Sequence, residues 1–155
     1  MTAAALPLTL ANDLAARLTA LRPALTIARR LYIPTDRDSL AELRVYVSPT
    51  SRKASPSARS LDEHTVELEL ATAQSLTGPD FETQAAAVLT AALDLAGLWL
   101  AEDEDDPAAA PLRSELLAGC RFASLNHDPL LDPGLLARGL ALSLLTLTYS
   151  ATYPA

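Results

Sequence analysis

Two segments of the chain place apolar residues at helical spacing. The first stripe consists of Leu6, Leu10, Leu14, Leu18 and Leu21, and the second of Phe81, Ala85, Val88, Ala92, Leu95 and Trp99. Pro7 suits the first turn of a helix, Pro23 suits a stop, and Pro79 stands just ahead of the second stripe. The pattern therefore predicts amphipathic helices over residues 7–22 and 80–101.

Other stretches alternate apolar and polar residues, as half-buried strands do. They cover residues 25–33, 43–47, 65–72, 119–125 and 140–153. In the second stretch we expect Leu43, Val45 and Val47 to point into the core, with Arg44 and Tyr46 pointing outward. Residues 36–42 suggest a short helical turn. Taken in the order α-β-β-α-β-β, the elements predict an α+β domain, in which a mainly antiparallel four-stranded sheet with a long β-hairpin packs against two helices.

Residues 48–61 combine five serines, two prolines and three basic side chains. Such a composition has little to bury, so it predicts a long exposed loop. The strands on either side of this loop are expected to pair as the antiparallel hairpin. In that pairing Arg44 would face Glu67 or Glu69 across the two strands.

The chain has 155 residues and a mass of 16.4 kDa, which fits a single domain over 1–155. Its net charge of −7 is uneven, since residues 1–61 carry nine basic and four acidic side chains (+5) and residues 62–155 carry three and fifteen (−12). An acidic protein is an unusual dedicated reader of nucleic acid. One cysteine rules out an internal disulfide and fits a reducing cytosol. No apolar run is long enough to predict a membrane span, and the N-terminus lacks the basic patch of a secretory signal.

Few residues suggest catalysis. His64 precedes a strand and invites an acid–base role, but we expect a solvated side chain there. Cys120, His127 and Asp128 are the residue types of a thiol catalytic set, yet no oxyanion-hole signature surrounds them and a buried apolar cysteine is favoured. We therefore expect no enzyme and no cofactor.

Two charged segments invite a binding role. The acidic run Glu102–Asp106, in an acidic linker over 102–111, lacks the spaced oxygen ligands and glycine of a calcium loop, so we expect a solvated segment and no metal. Arg52, Lys53 and Arg59 could contact phosphate or an acidic protein surface, although no aromatic residues are interleaved with them. An ordered partner contact and a merely solvated loop are equally compatible with these three cations.

Several stretches, taken in order, resemble the tail terminator (tail completion) proteins of long-tailed bacteriophages. They are Ala28–Pro34, Leu40–Pro49, Ala58–Leu70, Asn126–Pro133 and Leu144–Tyr149. The resemblance extends over most of the chain from about residue 24. Two features depart from the family pattern: the linker 102–111 is unusually acidic, and alanine replaces much of the expected bulk in the second helix.

The resemblance implies a small α+β subunit that forms a hexameric ring and catalyses no reaction. Such a ring caps the tail tube, stops its polymerisation and joins it to a head-completion or neck protein. It is assembled in the host cytoplasm, and genomic DNA passes through its centre with non-specific contacts. Arg52, Lys53, Arg59, Arg44, Glu67 and Glu69 are the candidate contacts to partners or to this DNA. The alternatives are a neck or head–tail connector subunit, a small DNA-binding module and a thiol hydrolase.

Overall fold

A computed structural model describes residues 5–100 and 109–154 of the chain. Within these ranges it contains α1 (Leu6–Leu21), β1 (Ile27–Arg29), β2 (Arg44–Ala58), β3 (Leu61–Ser75), α2 (Phe81–Ala96), β4 (Arg121–Asn126), α3 (Pro133–Leu136) and β5 (Leu140–Pro154). The α+β class is confirmed. The two long helices match the expected segments, although α2 ends five residues early. Tight turns follow it, in which the N–H of Trp99 bonds to the carbonyl of Ala96 at 3.1 Å.

The sheet is mixed and has five strands in the order β1-β2-β3-β5-β4. β1 pairs with β2 in parallel, and the remaining neighbours are antiparallel. The expected sheet of four strands is therefore wrong, because it counts one alternating stretch too few. The described residues also contain a third helix, α3. Parallel pairing of β1 and β2 is possible because residues 30–43 cross over between them; this crossover holds turns and bends where a helical turn was expected over 36–42.

Residues 48–58 form strand and not a loop, which corrects the expectation of a long loop over 48–61. β2 and β3 pair along almost their whole length, and a tight turn at Arg59 and Ser60 joins them. Ser60 adopts φ 66° there. The segment is exposed, as its composition predicts, but exposure does not prevent a backbone from pairing with a neighbouring strand. Hydrogen bonds to β3 satisfy the backbone groups that face it, although most side chains of the segment remain exposed.

The main core lies on the side of the sheet that α1 and α2 cover, which we call the helix face. Alternating residues of the central strands point into it, as expected: Val45, Val47, Val66, Leu68, Leu70, Leu145, Leu147 and Tyr149 are all fully buried. Four leucines of the α1 stripe and the α2 residues Leu95 and Ala96 pack against them. The indole Nε1–H of Trp99 donates to the hydroxyl of Tyr149 at 2.7 Å, which ties the end of α2 to β5.

The opposite side of the sheet is apolar only at one end. There the crossover packs Leu40 on Tyr46, Ala73, Leu140 and Leu142. Tyr46 is only 6% exposed, so the expectation that it points to solvent is wrong. Period-two alternation does send Tyr46 away from the helix face, but the crossover covers this end of the second side. Leu43 precedes β2 and packs in a smaller cluster with Leu76 and Val88, outside the main core.

We expect the fold to lose stability between pH 10 and pH 12 through Tyr149. Burial raises the pKa of Tyr149 from 10 to about 12. A pKa raised on folding means that the stabilisation is complete below pH 10 and is lost as the pH rises through the folded value. The loss amounts to about 2–3 kcal/mol of unfolding free energy. Urea titrations at pH 9, 10, 11 and 12 measure it, and Tyr149→Phe should flatten the slope; equal slopes in both proteins would contradict the assignment.

Candidate interaction surface on the hairpin

The β2–β3 hairpin extends beyond the strand that flanks it. β1 pairs only with Val45, Tyr46 and Val47, so within the described residues no strand lies beside Ser48–Ala58 on that side. At the opposite edge of the sheet, β4 pairs with β5 only as far as Ser150. Within residues 5–100 and 109–154, the end of the sheet is therefore a three-stranded extension of β2, β3 and β5 with an open edge on either side, and open edges are able to pair with another chain.

The register shows which backbone groups of β2 point to its open edge. Val45 N–H and Val47 C=O bond toward β1. A bulge between Pro49 and Ser51 shifts the register by one residue, after which Arg52, Ala54 and Pro56 stand opposite even-numbered residues of β3. Strand alternation then directs the backbone groups of these three residues outward. Pro49 also lies at an outward position, so the edge has prolines near both ends and its available donors lie between them.

Arg52, Lys53 and Arg59 are exposed on this hairpin, as expected, but they do not form one patch. Arg52 and Lys53 are consecutive strand residues, so their side chains leave opposite faces of the sheet. Arg59 lies in the turn. The three cations therefore surround the end of the hairpin on different sides, which suits contact with a partner that surrounds it better than contact with a flat surface.

Arg44 lies at the far end of β2 from this group. It stands opposite Ala73, whereas Glu67 stands opposite Ser51 and Glu69 opposite Ser48. The expected pairing of Arg44 with Glu67 or Glu69 is therefore wrong. It assumed a hairpin whose loop began at residue 48, whereas β2 continues for eleven more residues, to Ala58. Arg44 instead lies 3.6 Å from the carboxylate of Glu42.

Glu67 and Glu69 lie on the side of the sheet opposite the helix face, which beyond the crossover is a polar face. Burial, and then the neighbouring charge of Glu67, raise the pKa of Glu69. The hydroxyl of Ser51 donates to the carboxylate of Glu67 at 3.2 Å. Thr146 and Thr148 stand opposite these glutamates on β5, and Lys53 stands opposite Thr65. The polar face thus combines carboxylates, hydroxyls and one lysine on a regular strand lattice.

His64 is buried and not solvated, which corrects the sequence-based expectation. It is 8% exposed, and its ring meets that of Tyr153 edge-to-face at 5.2 Å between centroids. Its Nδ1 atom has no hydrogen-bond partner among the described residues. His64 lies on the same side of β3 as Val66 and Leu68. Buried residues therefore continue along the helix face almost to the end of the hairpin.

The thiol set does not assemble. Cys120 precedes β4 and is fully buried, whereas His127 and Asp128 follow the other end of this strand. The six residues of β4 lie between Cys120 and His127 and place their Cα atoms about 20 Å apart. Burial raises the pKa of the Cys120 thiol, which disfavours the thiolate.

His127 has a structural hydrogen bond in place of a catalytic one. The hydroxyl of Ser143 donates to the carbonyl of Leu130 at 2.7 Å, so its oxygen is free to accept from Nε2–H of His127, also at 2.7 Å. A serine hydroxyl has one proton, so these two bonds assign the donor role to the imidazole. The pair fastens the segment after β4 to β5.

Residues 5–100 and 109–154 contain no group of three His, Cys, Asp or Glu side chains that could hold a metal ion. The acidic run Glu102–Asp106 and most of the expected linker over 102–111 lie outside these ranges. None of the helices in the described part of the chain has the length and hydropathy needed to cross a membrane.

Comparison with known proteins does not assign a family. No family model matches the chain, and no curated protein matches it. One solved structure, whose name describes no function, aligns with 100% of this chain and 99% of its own at 17% sequence identity and a TM-score of 0.36. A likeness at this TM-score carries no argument about fold or function.

One feature of the surface escaped the sequence analysis. It is the outward orientation of the backbones at Pro49 and Pro56, because these prolines were interpreted as a sign of a loop. Proline is tolerated at the edge of a sheet, where its missing N–H faces solvent, so two prolines in an exposed segment after a strand also fit an edge strand. The polar side of β5 was predicted: Thr146 and Thr148 alternate with the buried Leu145, Leu147 and Tyr149, as the alternation over 140–153 indicates.

Proposed function

We propose that the chain is a structural subunit of a virion tail. In this role it forms a ring on the end of the tail tube, stops growth of the tube and joins it to a head-completion or neck protein. The observation that carries the proposal is the hairpin extension, whose β2 edge from Ser48 to Ala58 has no neighbouring strand in the described structure. The ordered sequence resemblance to tail terminator proteins supplies the biological context.

The hairpin supports this role because its exposed surface has the properties of a contact between copies. Eleven residues of β2 maintain strand geometry through one neighbouring strand only, and eight of them are exposed. A ring places each subunit between two identical neighbours, and such a heterologous contact joins two different surfaces of the same subunit. The hairpin end, where Arg52, Lys53 and Arg59 outnumber the acids Asp62 and Glu63, and the carboxylate-bearing polar face are two such surfaces, and their opposite net charges would orient the neighbours.

We expect the full chain to form rings, alone or on the ends of tail tubes. Sedimentation velocity of the purified protein, with and without a tail-tube protein from the same genome, measures the size of the assembly. Negative-stain images then show whether tube ends carry a ring and whether tube length becomes limited. A species that remains monomeric at high concentration and leaves tube growth unchanged would contradict the proposal.

The same experiments separate the alternatives. A ring that binds head-side proteins and ignores tubes would place the chain among neck or head–tail connector subunits. A small DNA-binding module would bind duplex DNA as a monomer, with affinity that falls steeply as salt rises. For this second alternative, Arg52, Lys53 and Arg59 are the side chains to neutralise.

A further inference from the structure

A cleft lies between the sheet and the crossover, away from the hairpin end. Its floor consists of alternate residues of the first two strands, and its other wall is the crossover. The lining residues are Thr26, Ala28, Arg30, Arg44 and Tyr46 from the strands and their ends, with Tyr32, Pro34, Asp36 and Ser39 from the crossover. The volume is about 300 Å³. We call it the Arg30–Arg44 cleft.

The register places two guanidinium groups at opposite ends of this cleft. Thr26 lies level with Arg44, because its carbonyl accepts from the N–H of Val45. Arg30 follows four residues later on the same side of the strand, which separates the two arginine positions by about 13 Å at the rise of a strand. An extended peptide has the same period, so its residues i and i+4 also lie about 13 Å apart and on one side.

Neither arginine is held in a strong ion pair of the described structure. The guanidinium of Arg44 lies 3.6 Å from Glu42, whose side chain is 79% exposed, and an ion pair of this kind is weak. Asp36, the one acid among the lining residues, accepts a hydrogen bond from the N–H of Ser39 at 2.9 Å. Its role is to hold the turn of the crossover, and the lining keeps a positive excess of one.

One tyrosine provides contact surface between the charges. Tyr32 on the crossover is 71% exposed, whereas Tyr46 forms part of the floor and is only 6% exposed. Tyrosine and arginine are among the residue types that contribute most at protein–protein contacts. An exposed tyrosine beside a cleft that ends in arginines on both sides fits a peptide backbone with acidic side chains better than a lone inorganic anion.

We propose that the Arg30–Arg44 cleft binds an extended acidic segment of another protein chain. Two carboxylates of this segment, four residues apart, pair with Arg30 and Arg44, and the residues between them lie against Tyr32. The proposal stands apart from the virion assignment, because it depends on the cleft and not on the hairpin.

The test uses a fluorescent nine-residue peptide of alternating serine and valine that carries two glutamates at i and i+4, with the full-length protein. Fluorescence anisotropy at low salt measures its affinity. Arg30→Gln and Arg44→Gln should each weaken binding about fivefold, whereas Glu42→Gln should tighten it two- to threefold by releasing Arg44. Arg121→Gln removes the same charge from the opposite edge of the sheet and is the matched control. A second peptide with glutamine in place of both glutamates should not bind.

Several outcomes would overturn the proposal. Equal weakening by Arg121→Gln would show attraction to net charge alone. Binding of the glutamine peptide would remove the role of the carboxylates, and absence of binding by the glutamate peptide at millimolar concentration would remove the site. Displacement of the peptide by a few millimolar inorganic phosphate would show a simple anion site. Circular dichroism melts of each variant establish that the fold is retained.

Discussion

Replacement of Trp99 by alanine is expected to lower the unfolding free energy by about 3–5 kcal/mol. Trp99 is fully buried and is the only tryptophan of the chain. It fills the space between the end of α2 and β5, 6.4 Å from the ring of Phe122, and donates to the hydroxyl of Tyr149. Its removal leaves a cavity and an unpaired buried hydroxyl at the same place.

Urea unfolding followed by circular dichroism measures the effect of Trp99→Ala, because the variant has no tryptophan fluorescence. The matched control is Leu100→Ala. This next residue is 51% exposed, so its truncation should change the unfolding free energy by no more than about 0.5 kcal/mol. A loss below 1 kcal/mol for Trp99→Ala would show that the contact between α2 and β5 contributes little to the fold.

The sequence predicts the helix face well because its signal is local. Burial of every second residue in β3 and β5 follows from alternation alone, and the stripes of α1 and α2 follow from helical spacing. The buried residues of these two strands and two helices pack into one core. Tyr46 shows where this reasoning stops: alternation correctly sends it to the second side of the sheet, but only the path of the crossover decides that this end of the second side is covered.

Strand pairing over residues 48–58 could not be inferred from composition, for a different reason. Serine, proline and basic residues lower the tendency to form an isolated strand, yet β3 offers a continuous row of backbone partners that is itself fixed by β5. Pairing therefore spreads outward from a well-packed central strand. The same dependence explains the error for Arg44, since its partner was sought on the assumption that β2 ended eleven residues before it does.

The position of the prolines indicates that the β2 edge is restricted to a short pairing segment. An unrestricted edge of eleven residues would invite pairing in many registers, including aggregation. Pro49 and Pro56 remove the outward N–H groups near both ends, and the outward N–H of Ala54 lies between them. A contact through this edge would then have one register, as a closed ring requires of every subunit.

Ala54→Pro is accordingly expected to abolish ring formation while the monomer keeps its fold. Ala54 is exposed, and its N–H points away from β3, so proline removes a donor that only a neighbouring chain would use. Sedimentation velocity should show a shift from rings to monomers, with a melting temperature within a few degrees of the native protein. Lys53→Pro is the matched control: its N–H faces β3, so this substitution breaks the hairpin itself and should lower the melting temperature. Rings formed by Ala54→Pro as readily as by the native chain would show that the subunits meet through another surface, and the charged groups of the hairpin end and the polar face would then be the next to reverse.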